Sequence, residues 1–443
     1  MTMTNKLLKI SGFLVKQLTY KPIATSSISF NELKEIVKFT SREPSSFDPF
    51  DPIQNKDLFT TQANHEYFQR LTSEERVINI YKYLLEEINK RNTKKSELGT
   101  FPTSVIISID INEQFDNEEE YKSQVLKLEE NDIIGAFYKI TDESKYINFE
   151  ILNRKNSLIV DGQHRLAAML KLYNDAKNKS IKIGRYSLDD KYPNLEYNTI
   201  ISELENFQLN CTLLVGFDKW EQGKVFVDVN FNQKPVNKSL YYDIFGSYPE
   251  PDKNDIFLAH MLAMHLNNNS NSVIKGFIKM LGKGSGYFSQ AFFVESILEH
   301  FKANGIWADI PLDYLSNGKK YEILPLFLKA YFRSIKKNFT DYWPKSEYGK
   351  GEKYKDVLVK TTGMGALLKL MNPIYKQLIR NHIQLNKLSE DELFYEFNLI
   401  FAKIKDHGGK YFSSSSDFSG AGSLGLQNKL YKELGTELGF FKK

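Results

Sequence analysis

The stretch SLIVDGQHRLAAMLKLY, residues 157 to 173, constrains the fold more than any other part of this chain, because its apolar period changes within four residues. Leu158, Ile159 and Val160 form a short run of the kind that predicts a buried strand, whereas Leu166, Met169, Leu170 and Tyr173 recur at helical spacing. Asp161, Gly162, Gln163 and His164 therefore occupy a strand-to-helix corner. Gly162 permits left-handed backbone there, and the first amide N–H groups of the helix have no partner within it, a combination that suits an anion. Arg165 adds a planar cation with several donors matched to phosphate, and Asp161 can hold a metal ion or orient a water. The same residues also read as an ordinary cap, since Asp-Gly before a helix is a common start and a first-turn Arg often faces solvent.

At 443 residues the chain is long enough for two or three domains with cores of their own. Its 41% hydrophobic and 26% charged residues are ordinary for a globular protein, and 14% aromatic residues argue against extensive disorder. Fifty-nine basic against 55 acidic residues leave a net charge of +4, too slight to announce a nucleic-acid coat, although a local basic groove remains compatible with it. Cys211 is the single cysteine, which excludes an intrachain disulfide framework and a Cys-based zinc cluster and points to a reducing cytoplasm. Lys9, Ser11, Gly12 and Lys16 interrupt the apolar start before an export signal forms, and no run approaches about 18 apolar residues, so no membrane partner is expected.

Along the chain, FNELKEIVKF near residues 30 to 39 is the best helix candidate of the first 43, and the proline-rich stretch 44 to 60 reads as a surface connection. Thr72 and Glu75 fit a capping box for a helix whose face is Val77, Ile80, Tyr81, Leu84, Leu85 and Ile88. Gln69 and Arg70 precede that cap and read, on composition, as solvated surface. FPTSVIISIDI at 101 to 111, IIGAFYKI and YINFEIL predict further strands beside the organising one. Asp116 to Glu120, four carboxylates in five residues, lack interleaved ligand geometry and read as a solvated run. Residues 174 to 205 carry no site.

Residues 209 to 246 present a conflict of periods. Val225, Val227, Val229 and Phe231 alternate with polar residues and predict a strand, while Trp220, Phe226 and Val229 also fit one helical face. Asn230, Asn232, Gln233 and Lys234 follow as a polar group that could meet phosphate, sugar or base and that otherwise reads as a polar loop. From residue 255 onward five segments carry helical spacing, with aromatic stripes at the interior-facing period. His260 and His265 lie about 140° apart on a helix and read as structural, not as zinc ligands. Three glycine-rich pieces, 281 to 290, 360 to 368 and 408 to 425, lack P-loop spacing and read as loops, the last as a disordered segment or a lid.

The string DGQHRLAAML resembles the signature of the DGQHR-domain proteins of the ParB and sulfiredoxin-like superfamily, which include DndB-type proteins of DNA phosphorothioation systems. It is also similar to the DGQQR motif of GmrSD-type restriction enzymes, whose corresponding domain binds and hydrolyses nucleoside triphosphates. The likeness spans residues 60 to 250 in motif order, sharp at DGQHR and softer at FQR and NFNQK. It implies helix, not strand, before NFNQK, and promotes Gln69 and Arg70 to phosphate contacts. Sulfiredoxins carry a catalytic cysteine where this chain has Gln163, so sulfinic-acid chemistry does not carry over. A separate nuclease motif is not found.

The expected fold is therefore α+β: an N-terminal extension over 1–60, a nucleotide-binding domain with a small mixed sheet over 61–250, and a helical domain over 251–443. The resemblance implies a bacterial DNA-modification or anti-phage defence protein that binds ATP or GTP with Mg²⁺ and hydrolyses it, with DNA and other proteins of a modification or defence operon as partners. Gly162, Arg165, Gln69, Arg70, Asn230, Asn232, Gln233 and Lys234 would contact the nucleotide, and Asp161 would hold the metal. Asp161, Gln163 and His164 would serve catalysis, Gln163 by orienting water and His164 by relaying a proton, since an imidazole ordinarily titrates near neutrality. The alternative is a DndB-type DNA-binding regulator without enzymatic activity.

Overall fold

The structure is a computed structural model that describes residues 8–38, 74–93, 99–115, 117–126, 135–141, 145–151, 157–231, 237–247, 254–282, 285–308, 323–345, 348, 353–381, 383, 385–420 and 422–442. The described residues form two compact units, one up to residue 231 and one from 237 onward.

The first unit runs β1 (Leu8–Leu14), β2 (Ile23–Ser29), α1 (Phe30–Ile36), β3 (Val37–Lys38), α2 (Glu74–Asn92), β4 (Val105–Ile109), β5 (Ile111–Gln114), α3 (Glu118–Leu126), β6 (Ala136–Thr141) and β7 (Tyr146–Ile151). It continues with β8 (Ser157–Asp161), α4 (Gln163–Lys177), β9 (Lys182–Ile183), β10 (Tyr186–Ser187), α5 (Leu188–Lys191), α6 (Tyr197–Glu205), β11 (Gln208–Val215) and α7 (Lys219–Phe231). Nine strands join one mixed sheet in the order β3-β8-β4-β11-β2-β1-β7-β6-β5. Only Asp110 separates β4 from β5, yet β5 lies six places away in that order. One intervening residue spans less than about 8 Å, whereas six flat strand spacings need about 29 Å. The sheet therefore curls until its edge returns to β4.

This sheet corrects two expectations. It is larger than the small sheet predicted, and residues 8–38 are not an extension, because β1 and β2 pair with β7 and β11 in its middle. Their alternating Ser and Thr positions weaken the apolar signal: Thr25 and Ser27 face solvent while Ile28 is buried. Helix α2 buries Val77, Tyr81, Leu84 and Leu85 as its spacing predicts, with Ile80 and Ile88 partly buried beside them; Thr72 of the predicted cap lies outside the described residues. Helix α4 packs between α2 and α6 through Leu166, Met169, Leu172 and Tyr173, and each fully buried aliphatic side chain there contributes about 1.5–3 kcal/mol. The acidic run opens α3, where Glu118 pairs with Lys122 and Lys139 at the surface.

The second unit is predominantly helical: α8 (Lys238–Phe245), α9 (Asp255–Asn268), α10 (Gln290–Phe301), α11 (Ile323–Asn338), α12 (Thr361–Arg380), α13 (Glu390–Phe401), α14 (Gly408–Phe412) and α15 (Leu424–Glu437), with the short parallel pair β12 (Ile278–Lys279) and β13 (Phe288–Ser289). The aromatic stripes form its core, where Phe397 meets Phe327 and Tyr331 edge-on and Tyr331 meets Phe401 edge-on. The start of the unit at α8 places the boundary earlier than residue 250.

Of the three glycine-rich pieces, one is helical and another begins as a short helix before a run of turns. KTTGMGALL begins α12, and Gly363 lets that turn pass close to the Val357 and Leu358 carbonyls. In 408 to 425, Tyr411, Phe412 and Phe418 are buried and hold the serines and glycines around them in place. His260 and His265 are buried in α9, as a structural role requires. Gln290 Nε2 lies 3.1 Å from Asp243 Oδ1 and 3.0 Å from His260 Nδ1, while its Oε1 accepts from the Leu281 amide at 2.8 Å. No helix among the described residues is long and apolar enough to cross a membrane.

Candidate functional site: the β8–α4 corner

Strand β8 is buried along Ser157 to Val160 and becomes partly exposed only at Asp161. It lies between β3 and β4, with β3 pairing to Ser157 and Leu158 and β4 to Leu158, Ile159 and Asp161. Ile107 on β4 faces Ile159, but the preceding residue, Ile106, faces Asp161, which makes Val160 the extra residue of a β-bulge. Strict alternation from Ile159 would have turned Asp161 toward the hydrophobic core that holds Val105, Ile107 and Ile159. The bulge places it opposite Ile106 instead, on the other face, which it shares with Ser108. An unpaired carboxylate in a core is strongly unfavourable, so the bulge is what lets an aspartate end this strand.

Gly162 then adopts φ 97°, ψ 7° as the N-cap of α4, and its carbonyl accepts from the amides of Arg165 at 3.0 Å and Leu166 at 3.2 Å. A Cβ at this position would meet Arg165 Nη2 and both Val105 methyls at 3.1 Å. Glycine is thus required for both conformation and close packing.

Arg165 does not reach into solvent. Its Nη1 donates to the Thr103 carbonyl and, at 2.9 Å, to Thr103 Oγ1, and its Nη2 donates to the Ser104 carbonyl at 2.7 Å. Three of about five guanidinium donors therefore tie the first turn of α4 to the residues leading into β4. Burial pushes the guanidinium pKa down, with nearby Asp161 partly opposing that shift; the closest oxygen, Asp161 Oδ2, is 3.9 Å from Nη2. Burial also pushes the Cys211 thiol up to about 12, although the charge of Arg165 acts in the opposite direction. A thiol so placed is inert as a nucleophile.

The other predicted residues are placed unequally. Gln163 is buried and His164 half-buried, and both already have partners within the chain. Asn230 sits in the last turn of α7, confirming helix over strand where the two periods conflicted, and its Nδ2 donates to the Phe226 carbonyl at 2.8 Å. Helix α7 packs against β8, so the structure brings the Asn230 element beside the strand that ends at Asp161. Gln69, Arg70, Asn232, Gln233 and Lys234 lie outside the described residues.

Two features of the site have no local sequence signal. One is the use of the Thr103 and Ser104 carbonyls as the seat of Arg165. The other is Ser108, whose buried Oγ has no hydrogen-bond partner among the described residues and which lies two residues along β4 from Ile106, the neighbour of Asp161. Among the described residues no three His, Cys, Asp or Glu side chains assemble into a metal cluster. A lone carboxylate suits a Mg²⁺ shared with substrate phosphates and water; it does not suit a closed zinc site. No family model matches this chain, and no curated protein or solved structure matches it significantly.

Proposed function

We propose that the β8–α4 corner binds the triphosphate of a nucleotide, and that the chain is an NTP-hydrolysing protein of a bacterial DNA-modification or anti-phage defence system with a ParB/sulfiredoxin-like nucleotide-binding unit. The observation that carries this reading is the bulge at Val160, which turns Asp161 out of the core directly before the left-handed Gly162. Bulges recur where a strand must re-aim a side chain beside an active site. The resemblance of DGQHR to the nucleotide-binding motif, and the packing of α7 on β8, point the same way.

In this reading Asp161 is the ligand side chain, and Arg165 is chiefly a positioning residue whose remaining donors face phosphate. His164, half-buried beside them, takes the proton-relay role, and buried Gln163 orients the corner from within. Asp161 would hold Mg²⁺, which when bound offsets phosphate charge. Lys234, Asn232 and Gln233, following α7, would complete the phosphate contacts together with Gln69 and Arg70.

Titrating the full chain with non-hydrolysable ATP and GTP analogues in Mg²⁺, and measuring phosphate release from ATP and GTP, tests this. Asp161→Asn should lower affinity at least tenfold while the denaturation midpoint holds, because the carboxylate is 29% exposed and Arg165 Nη2 lies 3.9 Å from it. Equal nucleotide binding and phosphate release by both proteins would remove the proposal. Salt-sensitive DNA binding that ignores both nucleotide and Asp161→Asn would select the regulator reading instead.

A further inference from the structure

In the helical unit, α10, α12 and α15 enclose an open trough of about 750 Å³, within the rough 300–1,000 Å³ range of small-molecule sites. Each helix contributes one face: Phe292 and Glu299 from α10, Leu368 and Asn372 from α12, Gln427 and Tyr431 from α15. At Gly365 a Cβ would meet Gln427 Oε1 at 2.6 Å, so α12 and α15 approach closely there and Gln427 packs against α12.

The polar groups of the trough are mainly neutral and incompletely satisfied. Asn372 Nδ2 donates to the Asn304 carbonyl at 3.2 Å, which fixes the orientation of the amide, and its Oδ1 is buried without a hydrogen-bond partner among the described residues. The half-buried side-chain amide of Gln427 likewise has no hydrogen-bond partner among the described residues. His300 Nε2 is 3.1 Å from the Leu368 carbonyl; a carbonyl can only accept, so Nε2 carries the proton and the Nδ1 of the neutral ring is an acceptor. The charged groups balance: Glu299 pairs with Lys302 at 2.5 Å, Glu295 with Lys238 at 2.7 Å, and Lys369 donates to Asn428 Oδ1 at 2.5 Å. No excess of positive charge is present to hold a polyphosphate.

We infer that this trough binds a neutral, flat aromatic molecule that presents an N–H donor beside a C=O or ring-nitrogen acceptor, the edge shared by aryl carboxamides and nucleobases. The Gln427 carboxamide matches such an edge with paired hydrogen bonds, and the half-buried Phe292 and Tyr431 supply apolar surface for the ring. A donor from the ligand would also satisfy Gln427 Oε1, which has no hydrogen-bond partner among the described residues. The site is independent of the nucleotide reading, since all its residues belong to the other unit.

Saturation-transfer NMR on the full chain, with nicotinamide and adenine as probes and benzoate and inorganic phosphate as controls, tests the assignment. Nicotinamide or adenine should receive saturation and the two anions should not. Gln427→Leu should weaken the bound probe about five- to tenfold, the loss of one or two hydrogen bonds, and Ala303→Trp, which fills the trough from its rim, should abolish binding. Circular dichroism establishes that both variants are folded. Silence of both probes at millimolar concentration, binding that neither substitution changes, or equal binding of benzoate would each overturn the site.

Discussion

Ile106 and Asp161 face each other across β4 and β8 one residue out of the register that Ile107 and Ile159 keep. That single-residue slip decides which face of the sheet receives a carboxylate. It also fixes where Gly162 must reverse the chain and where Arg165 can reach back to β4. The corner is consequently one connected construction, and its parts respond to substitution in distinguishable ways.

Gly162→Ala should destabilise the fold by about 2–3 kcal/mol, because a left-handed alanine is strained and its Cβ would press on Val105 and Arg165 at 3.1 Å. Gly184→Ala provides the comparison: its φ is also positive, at 65°, but nothing lies within 4 Å of the added Cβ. Its penalty should stay near 1 kcal/mol, the backbone contribution alone. Urea denaturation of both variants measures the difference, and equal penalties would mean that packing at Gly162 is unimportant.

Arg165→Met should cost about 1–3 kcal/mol by leaving the Thr103 and Ser104 carbonyls without their donors. Arg165→Lys should recover little of that, since an ammonium cannot bridge two carbonyls as the planar fork does. If lysine restores full stability in chemical denaturation, the fork geometry is not what holds α4 to β4.

Burial pushes His300 down from 6.5 to about 4, so the folded protein keeps this imidazole neutral where the unfolded chain protonates it. With the folded value depressed, the unfolded state binds the extra proton; stability is fully present above pH 6.5 and is lost as pH falls toward about 4. The complete loss amounts to about 3 kcal/mol. His300→Gln keeps a donor for the Leu368 carbonyl and removes the titration, so its stability should fall less than the parent's across that window. Parallel pH profiles would contradict the assignment.

Cys211 gives a direct probe of unfolding, because it is the only cysteine and its thiol is both buried and pushed up to about 12. Labelling by an aromatic disulfide reagent at neutral pH should be very slow in buffer and accelerate with urea in step with loss of structure. Rapid labelling of the folded protein would show that β11 opens locally next to Arg165.

Local periodicity determined a large part of this protein. The switch at residues 157 to 173, the face of α2 and the helical spacing beyond 255 each depend on residues a few positions apart, and β8, α4, α2 and the helical unit follow from them. The pairing of the sheet depends on residues far apart in sequence. That is why the hydroxyl-rich β1 and β2 enter its centre and why their role was hidden in a composition that resembles an extension. Likewise the glycines of KTTGMGALL look like loop residues until the Val357 and Leu358 carbonyls and Gln427 pack against them inside a helix. At the corner itself, the sequence placed Asp161, Gly162 and Arg165 together, but only the tertiary structure decided their orientations. Register across β4 turned Asp161 outward, and the carbonyls of Thr103 and Ser104, about sixty residues earlier, drew Arg165 away from solvent.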